Sequence, residues 1–291
     1  MLNRKRDMEA PEPRPRHRLR GAIFWILAVI ITLAAAVYQK TTGPTYPLSG
    51  TATLGGTEFA YELPRSHDVG DAPVALYLPD AEVQGVISYK RLNVAEPRTE
   101  IPLERRGDSL AAALPHQPPA GKLEYYVRLT RGDQVTVLPA DPPEAVIRFK
   151  GAVPAWALAP HVLFIFLAML VSNRAGLEAL PATGRPRRYA WWTAGLLLLG
   201  GMVFGPIVQK YAFGAFWTGI PWGWDLTDNK TLIAMLGWLV PLWAMRGGRS
   251  ARGWVLFAAL LMLVVFSIPH SMLGSELDYA TGEVGTSGVD P

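Results

Sequence analysis

Two histidines in apolar surroundings are the residues of this sequence best suited to cofactor chemistry. His161 lies about two helical turns inside an apolar segment, and His270 directly follows another one. Burying an unpaired ionisable side chain in a membrane is costly, so such a residue has a function or a partner. Neutral imidazole ligates haem iron, and two imidazoles on facing helices hold haem b. The alternative is that each histidine hydrogen-bonds a neighbouring helix.

A loop rich in tryptophan and glycine separates two of the apolar segments. Its sequence, FGAFWTGIPWGWDLTDNKTLI, covers residues 213–233 and contains Trp217, Trp222 and Trp224, the last followed by Asp225. These side chains offer flat apolar faces, which suit a flat apolar ligand such as haem or a quinone. Tryptophan is also enriched at membrane interfaces without any ligand. An interfacial aromatic belt and a ligand platform are therefore both open interpretations.

Polar residues end this loop where the next helix is predicted to begin. Thr227 or Asp228 is expected to cap that helix, because both residue types accept hydrogen bonds from free helical N–H groups. Asp225 is expected either to pair with Lys210 or Lys230 or to relay protons beside a membrane cofactor.

Composition excludes several other functions. The chain of 291 residues has a formal net charge of +4, but its basic residues flank apolar segments. That pattern is typical of membrane topology, so no nucleic-acid partner is expected. The absence of cysteine excludes thiol catalysis, cysteine-ligated zinc, iron–sulfur clusters and covalent attachment of c-type haem. The sequence also has no phosphate loop, dinucleotide fingerprint, serine elbow or HExxH motif.

Five apolar segments predict five transmembrane helices, at residues 21–38, 153–172, 189–208, 232–245 and 254–269. Arginines in residues 1–20 and in the second and fourth connections place those parts in the cytoplasm. The Trp-rich loop, predicted at 209–231 within a four-helix region at 153–273, and an acidic tail at 274–291 then lie outside. The expected location is a bacterial inner membrane. Residues 1–20 are predicted to be a disordered basic tail, and the first helix an uncleaved anchor, with a cleaved signal peptide as the alternative.

Residues 41–150 have no apolar segment long enough to span and predict an antiparallel β-sandwich. Leu123, Tyr125, Val127 and Leu129 alternate with polar residues, which indicates a half-buried strand. The turn at 131–133 then predicts a hairpin. The number and spacing of such strands resemble immunoglobulin or fibronectin type III modules. The predicted fold class is thus mixed: a five-helix membrane bundle, N-terminus inside and C-terminus outside, with an outer β-sandwich inserted between helices 1 and 2.

The loop sequence WTGIPWGWD, residues 217–225, resembles the tryptophan-rich WWD signature of haem-handling membrane proteins of cytochrome c biogenesis. In that family an outward-facing tryptophan loop meets haem, and outward-facing histidines ligate the iron. The resemblance implies that His161 and His270 are metal ligands to haem iron and that Trp222 and Trp224 form the haem platform. The chain departs from the family, whose members usually have at least six spans and no sandwich between the first two.

Three functions follow from these patterns. The first is binding of haem b, or of a quinone, near the outer membrane face for haem handling or electron transfer. The second is a non-enzymatic scaffold or assembly factor in the lipid bilayer, whose outer sandwich binds another membrane or periplasmic protein without a cofactor. The third, a small transporter with its mouth at residues 225–230, is disfavoured because the apolar segments carry almost no charges or helix breaks.

Overall fold

The computed structural model describes residues 15–141, 144–269 and 274–286. Its helices are α1 Pro15–Thr41, α2 Ala155–Ala179, α3 Arg187–Leu197, α4 Gly205–Phe213, α5 Leu226–Ala244 and α6 Arg252–Ser267. A π-helix at Leu198–Phe204 joins α3 to α4 without a break. Helix α2 packs against α1, α3 and α6, and α5 packs against α3 and α6. The shared core centres on Trp238, which is fully buried.

Three helical segments, not the predicted five, are long and apolar enough to cross a membrane. They are Leu19–Thr41, Ala155–Ala179 and Arg187–Phe213. Helix α5 carries Asp228 and Lys230 in its first turns, which leaves its apolar part too short. Helix α6 has 16 residues, or roughly 24 Å, against about 30 Å for a hydrocarbon core. Both helices nevertheless belong to the bundle, because their apolar faces are buried in its core.

The two chain ends also differ from expectation. Helix α1 begins at Pro15, so the tail predicted at residues 1–20 is helical over its last six residues, and residues 1–14 lie outside the described ranges. At the other end, residues of the predicted acidic tail form a hairpin of β12 Ser275–Leu277 and β13 Val284–Thr286.

Two close helix contacts near the π-helix depend on glycine. A Cβ atom on Gly200 would lie 2.9 Å from the backbone nitrogen of Ile165, and one on Gly201 would lie 2.5 Å from Thr231 Cγ2. Larger residues would therefore push the π-helix away from α2 and α5. The missing side chains bring the Gly200 backbone against α2, where His161 lies.

Strands between α1 and α2 form open sheets that pack in a sandwich-like manner, as predicted. The strands are β1 Leu48–Leu54, β2 Thr57–Leu63, β3 Ser66–His67, β4 Ala72–Tyr77, β5 Gln84–Arg91, β6 Thr99–Pro102, β7 Glu104–Arg106, β8 Ser109–Leu114, β9 Lys122–Arg131, β10 Gln134–Leu138 and β11 Ala145–Phe149. The order β3-β11-β9-β5-β6 with β10 beside β9 forms one sheet, β4-β8-β7 a second, and β1-β2 a hairpin. We call residues 48–149 the sandwich domain.

A single apolar core joins these sheets. Leu123, Tyr125, Val127 and Leu129 of β9 are all fully buried, which confirms the predicted period-two strand. The same core contains Leu63 of β2 and Leu76 of β4. The predicted hairpin is also confirmed, because β9 pairs with β10 through a turn in which Gly132 has a φ of 56°. Strand β1 was missed, since only Leu54 among its residues is buried.

Candidate functional site

The Trp-rich loop, residues 214–225, folds around side chains from the first turn of α5. Asp228 Oδ2 accepts hydrogen bonds from the backbone N–H groups of Thr218, at 2.6 Å, and Gly219, at 3.1 Å. Gln209 Nε2, on α4, donates to the same oxygen at 2.9 Å. Asp228 is 6 % exposed, so this carboxylate is a buried acceptor that fixes the path of the loop.

Asn229 also fixes the backbone of the loop. Its Oδ1 accepts a hydrogen bond from the Ile220 backbone N–H at 2.8 Å. A Cβ atom on Gly219 would lie 2.7 Å from both Asn229 Oδ1 and Asp228 Cβ. The glycine is therefore required by the close approach of the loop backbone to α5, and the TDN sequence at 227–229 specifies the loop conformation.

The helix cap is Asp225, not Thr227 or Asp228 as predicted. Helix α5 begins at Leu226, so Asp225 occupies the cap position and Asp228 lies inside the first turn. Asp225 Oδ1 accepts from the Thr227 backbone N–H at 2.8 Å. Its other oxygen accepts from Ser275 Oγ at 2.9 Å. Both carboxylate oxygens thus have structural partners, which accounts for the burial of Asp225 without a proton relay.

Neither lysine forms the predicted ion pair with Asp225 within the described part of the chain. Lys230 Nζ donates to the Ile268 carbonyl oxygen at 2.7 Å, which joins the start of α5 to the end of α6. Lys210 Nζ donates to the Gly214 carbonyl oxygen and lies 5.6 Å from the centre of the Phe216 ring. Both ammonium groups therefore neutralise backbone carbonyl dipoles at helix ends.

A set of polar contacts joins the sandwich domain to the helices, and we call it the clamp. Its residues are Lys122 and Arg148 of the sandwich domain, Asp225 at the start of α5, and Ser275 and Glu276 of β12. Lys122 Nζ contacts Glu276 Oε2 at 2.6 Å. The Leu277 backbone N–H donates to the Ala120 carbonyl oxygen at 3.1 Å, so β12 lies against the sandwich domain.

Arg148 is the most buried cation of the clamp. Its side chain is 5 % exposed, and its guanidinium group lies 5.4 Å from the centre of the Phe213 ring at the end of α4. Burial lowers the pKa of Arg148, and the carboxylates of Asp225 and Glu276 oppose that shift. The arginine stays charged because its pKa starts far above neutral. The carboxylates of Asp225 and Glu276 thus attract this cation through space, whereas Arg148 Nη1 makes no hydrogen bond within the described residues.

A backbone contact fixes the same junction. The Gly151 N–H donates to the Ala212 carbonyl oxygen at 2.9 Å. A Cβ atom on Gly151 would lie 2.2 Å from the Tyr211 carbonyl oxygen, so only glycine allows this approach. The segment between the sandwich domain and α2 is thus joined to α4, four residues before α2 begins at Ala155.

The aromatic side chains of the loop point away from its polar interior. Trp222 is 80 % exposed and Trp224 62 %, and Phe216 is similarly exposed. Trp217 is partly buried, and its Nε1 donates to the Ile220 carbonyl oxygen at 3.1 Å. The loop therefore presents an apolar surface while its carboxylates are used internally, an arrangement that suits either a membrane interface or a flat ligand.

His161 lies between α2 and the π-helix. Its Nδ1 is 2.8 Å from the Gly200 carbonyl oxygen, and the ring is partly buried. This is the neighbouring-helix hydrogen bond that was the alternative to iron ligation. It also requires a proton on Nδ1, which leaves the lone pair on Nε2. His270 lies outside the described residues, so its pairing with His161 stays a prediction.

Metal ligands are not clustered elsewhere in the described ranges, which contain no group of three or more His, Asp or Glu residues able to hold a metal ion.

Sequence reasoning missed the clamp, although one signal was present. Arg148 interrupts the otherwise apolar strand AVIRF, and a charge in a buried strand requires a partner.

No protein-family model, curated protein or solved structure matches this chain.

Replacing Asp228 tests its role in folding the loop. We expect Asp228→Ala to destabilise the protein by roughly 3 kcal/mol, because three N–H donors lose their buried acceptor. Asp228→Asn keeps one acceptor oxygen and should cost less. Chemical unfolding in detergent micelles, followed by tryptophan fluorescence, measures both. The exposed Asp133→Ala is the control, with an expected change within about 0.5 kcal/mol. Equal stability of Asp228→Ala and the control would contradict this role.

Proposed function

We propose that this protein is an integral protein of the bacterial inner membrane that holds its sandwich domain in a fixed position on the outer membrane surface, where a membrane or periplasmic protein binds it. The observation that carries this proposal is the clamp. A domain on a flexible tether needs no buried charges at its attachment, whereas here Arg148 and Asp225 are buried at 5 % and 3 % exposure.

Aromatic side chains at both ends of the bundle support membrane insertion. Trp25, Trp191 and Trp192 are exposed at one end, and Trp156 and Tyr211 are exposed at the other. Nineteen residues separate Trp192 from Tyr211, a helical rise of roughly 28 Å. A hydrocarbon core of about 30 Å fits between two such girdles.

Arginines at one end of the bundle support the orientation. Arg20 and Arg174 both contact Glu178, and Arg252 donates to the Pro181 carbonyl oxygen. We call this end, opposite the sandwich domain, the arginine end. Basic residues beside transmembrane helices favour the cytoplasmic side. The sandwich domain and the Trp-rich loop would then lie outside.

Fixed attachment is what a docking protein requires. The clamp and the Gly151–Ala212 backbone contact connect the sandwich domain to α4, α5 and β12. The domain therefore has one height and one tilt relative to the helices, so that a partner bound to it also has a defined position over the bilayer. Ordering the domain in advance lowers the entropic cost of that binding.

The absence of native cysteine permits a direct test of orientation. We expect Asp133→Cys in the sandwich domain and Trp222→Cys in the loop to react with a membrane-impermeant maleimide on spheroplasts, in which the inner membrane is intact. Arg249→Cys, exposed at the arginine end, should react only after permeabilisation. The opposite pattern would contradict the proposed orientation, and recovery of the chain in the soluble fraction would contradict membrane insertion.

Docking is tested by placing a photo-crosslinking amino acid at Tyr77 and at Val135, which are 65 % and 58 % exposed on two different sheets. We expect at least one position to yield a discrete adduct. Glu276→Ala should diminish it, because removing one partner of a largely buried ion pair costs roughly 3 kcal/mol and loosens the clamp.

Glu104→Ala is the matched control, because its ion pair with Arg106 is 71 % exposed on both sides and contributes little. Its adduct should equal that of the unmodified chain. Absence of adducts from both sheets would contradict docking, and an undiminished adduct in Glu276→Ala would contradict the role of the clamp.

A second candidate function is binding of haem b, favoured by the orientation of His161. Metal-ligating histidines commonly donate one ring N–H to a carbonyl oxygen, as His161 Nδ1 does to Gly200, and ligate through the other nitrogen. His161 Nε2 and, from the family resemblance, His270 would hold the iron, with Trp222 and Trp224 against the ring. Haem would supply one-electron transfer or would itself be the cargo. A quinone is the other flat ligand that this surface suits.

Visible absorption spectra of the detergent-purified protein, oxidised and dithionite-reduced, test this candidate. With haem supplied during expression, we expect a Soret band with reduced α and β bands, lost or strongly weakened in His161→Ala and His270→Ala. His67→Ala and His116→Ala, in the sandwich domain, should keep it. A spectrum without these bands in folded protein would contradict haem binding and leave the docking proposal standing.

A further inference from the structure

A cavity of about 790 Å³ opens at the arginine end of the bundle. The side chains that matter for its chemistry are those of Arg20, Arg185, Arg187, Arg188, Glu178 and Trp191. Four guanidinium groups and one carboxylate give the wall three uncompensated positive charges. Ligand cavities in proteins measure about 300–1,000 Å³, so this one is large enough for a polar head group.

The one carboxylate of the cavity is already engaged. Glu178 Oε2 contacts Arg174 Nη1 at 2.8 Å, and its other oxygen lies 3.8 Å from Arg20 Nη2. Across residues 15–141, 144–269 and 274–286, no carboxylate lies within 4 Å of the guanidinium groups of Arg185, Arg187 or Arg188. These three cations therefore lack a counter-charge from that part of the protein.

The backbone adds to this positive potential. Helix α3 begins at Arg187, its N-cap residue is Pro186, and no side chain caps it. Its first turn contains no acidic residue and carries Arg187 and Arg188 instead. Basic residues at the positive end of a helix dipole are unfavourable, and an anion at that position relieves both the repulsion and the free N–H groups.

The cavity also lies where lipid head groups would be. Trp191 lines it and is 58 % exposed, and the neighbouring Trp192 is 66 % exposed. Exposed tryptophans of this kind mark the interface between hydrocarbon and head groups. Arginine binds phosphate oxygens through paired N–H groups, and basic pockets between helices at the cytoplasmic face are suited to anionic lipids.

We propose that this cavity binds the phosphate head group of an anionic phospholipid. The inference rests on the membrane placement in the proposed function but not on docking through the sandwich domain. Phosphate is the recognised chemistry, Arg185 and Arg187 are its principal ligands, and Trp191 lies against the lipid beside it. The bound lipid would neutralise the start of α3 and join it to α1 through Arg20.

The test uses the purified full chain in detergent, to which cardiolipin, phosphatidylglycerol, phosphatidylcholine or inorganic phosphate is added separately. Thermal stability and native mass spectrometry report binding. We expect cardiolipin and phosphatidylglycerol to bind and to raise the unfolding temperature, and phosphatidylcholine to do neither. Stabilisation by inorganic phosphate without stabilisation by either anionic lipid would assign the site to a soluble anion and overturn the lipid proposal.

The double variant Arg185→Gln/Arg187→Gln removes two exposed side chains that have no carboxylate partner in the described ranges, one of them at the positive end of α3, so its lipid-free stability should equal or slightly exceed that of the unmodified chain. Its affinity for anionic lipid should fall roughly 100-fold, since each lost hydrogen bond between a guanidinium group and the phosphate contributes about a factor of ten. Arg246→Gln/Arg249→Gln removes the same charge from exposed positions at the same end and should keep the affinity.

Equal losses in the two double variants would indicate non-specific surface electrostatics and overturn the site, as would undiminished binding in Arg185→Gln/Arg187→Gln. Failure of the docking proposal is distinguishable, because loss of crosslinking at the sandwich domain does not alter lipid binding at the opposite end. Reversed cysteine labelling would contradict only the assignment of the cavity to the cytoplasmic leaflet.

Discussion

The structure depends on how the buried polar groups at the start of α5 are satisfied. Asp225 and Asp228 lie one helical turn apart, and both are almost completely buried. Asp225 caps the helix and accepts a hydrogen bond from β12. Asp228 accepts hydrogen bonds from the backbone of the Trp-rich loop. Buried carboxylates without partners are costly, so the loop and β12 are held to α5 by the need to supply donors. The aromatic side chains are presented outward as a consequence.

The clamp extends the same constraint across the junction between the two parts of the protein. Lys122, Arg148, Asp225 and Glu276 are far apart in sequence, and their alternating charges are buried to different degrees in one place. Such a network contributes less to stability than its number of contacts suggests, because each charge loses hydration. Its larger effect is specificity, since few other orientations of the sandwich domain would pair Lys122 with Glu276 and also bring Arg148 near the two carboxylates.

The two ends of the bundle differ in how their charged side chains are balanced. At the sandwich end, cations and carboxylates are matched inside the protein. At the arginine end, Arg174 is matched by Glu178 and lies 4.5 Å from the centre of the Tyr189 ring, whereas Arg185 and Arg187 are exposed. The difference corresponds to what each end would contact, a folded domain on one side and charged lipid head groups on the other.

The sequence by itself determined the features that depend on local periodicity. The alternation at residues 123–129 predicted a strand because burial of every second side chain is a property of the strand itself. The long apolar runs likewise predicted α1, α2 and the helix through the π segment. The sequence pattern overestimated the number of spanning helices. The apolar residues of α5 and α6 pack in the core of the bundle, and neither helix is long and apolar enough to cross a membrane.

Only the tertiary structure decided which polar residues meet. The place of His161 on a helix was predictable from the sequence, but its partner is a carbonyl of the π-helix, exposed to it by glycine packing between two helices. Asp225 caps the helix in place of Thr227 or Asp228 because the helix begins one residue after Asp225, and Asp228 binds the loop backbone instead. The clamp was not predictable, since its members come from β9, β11, the start of α5 and β12. Hydrogen bonds between distant segments depend on the packing of whole elements, which local sequence does not encode.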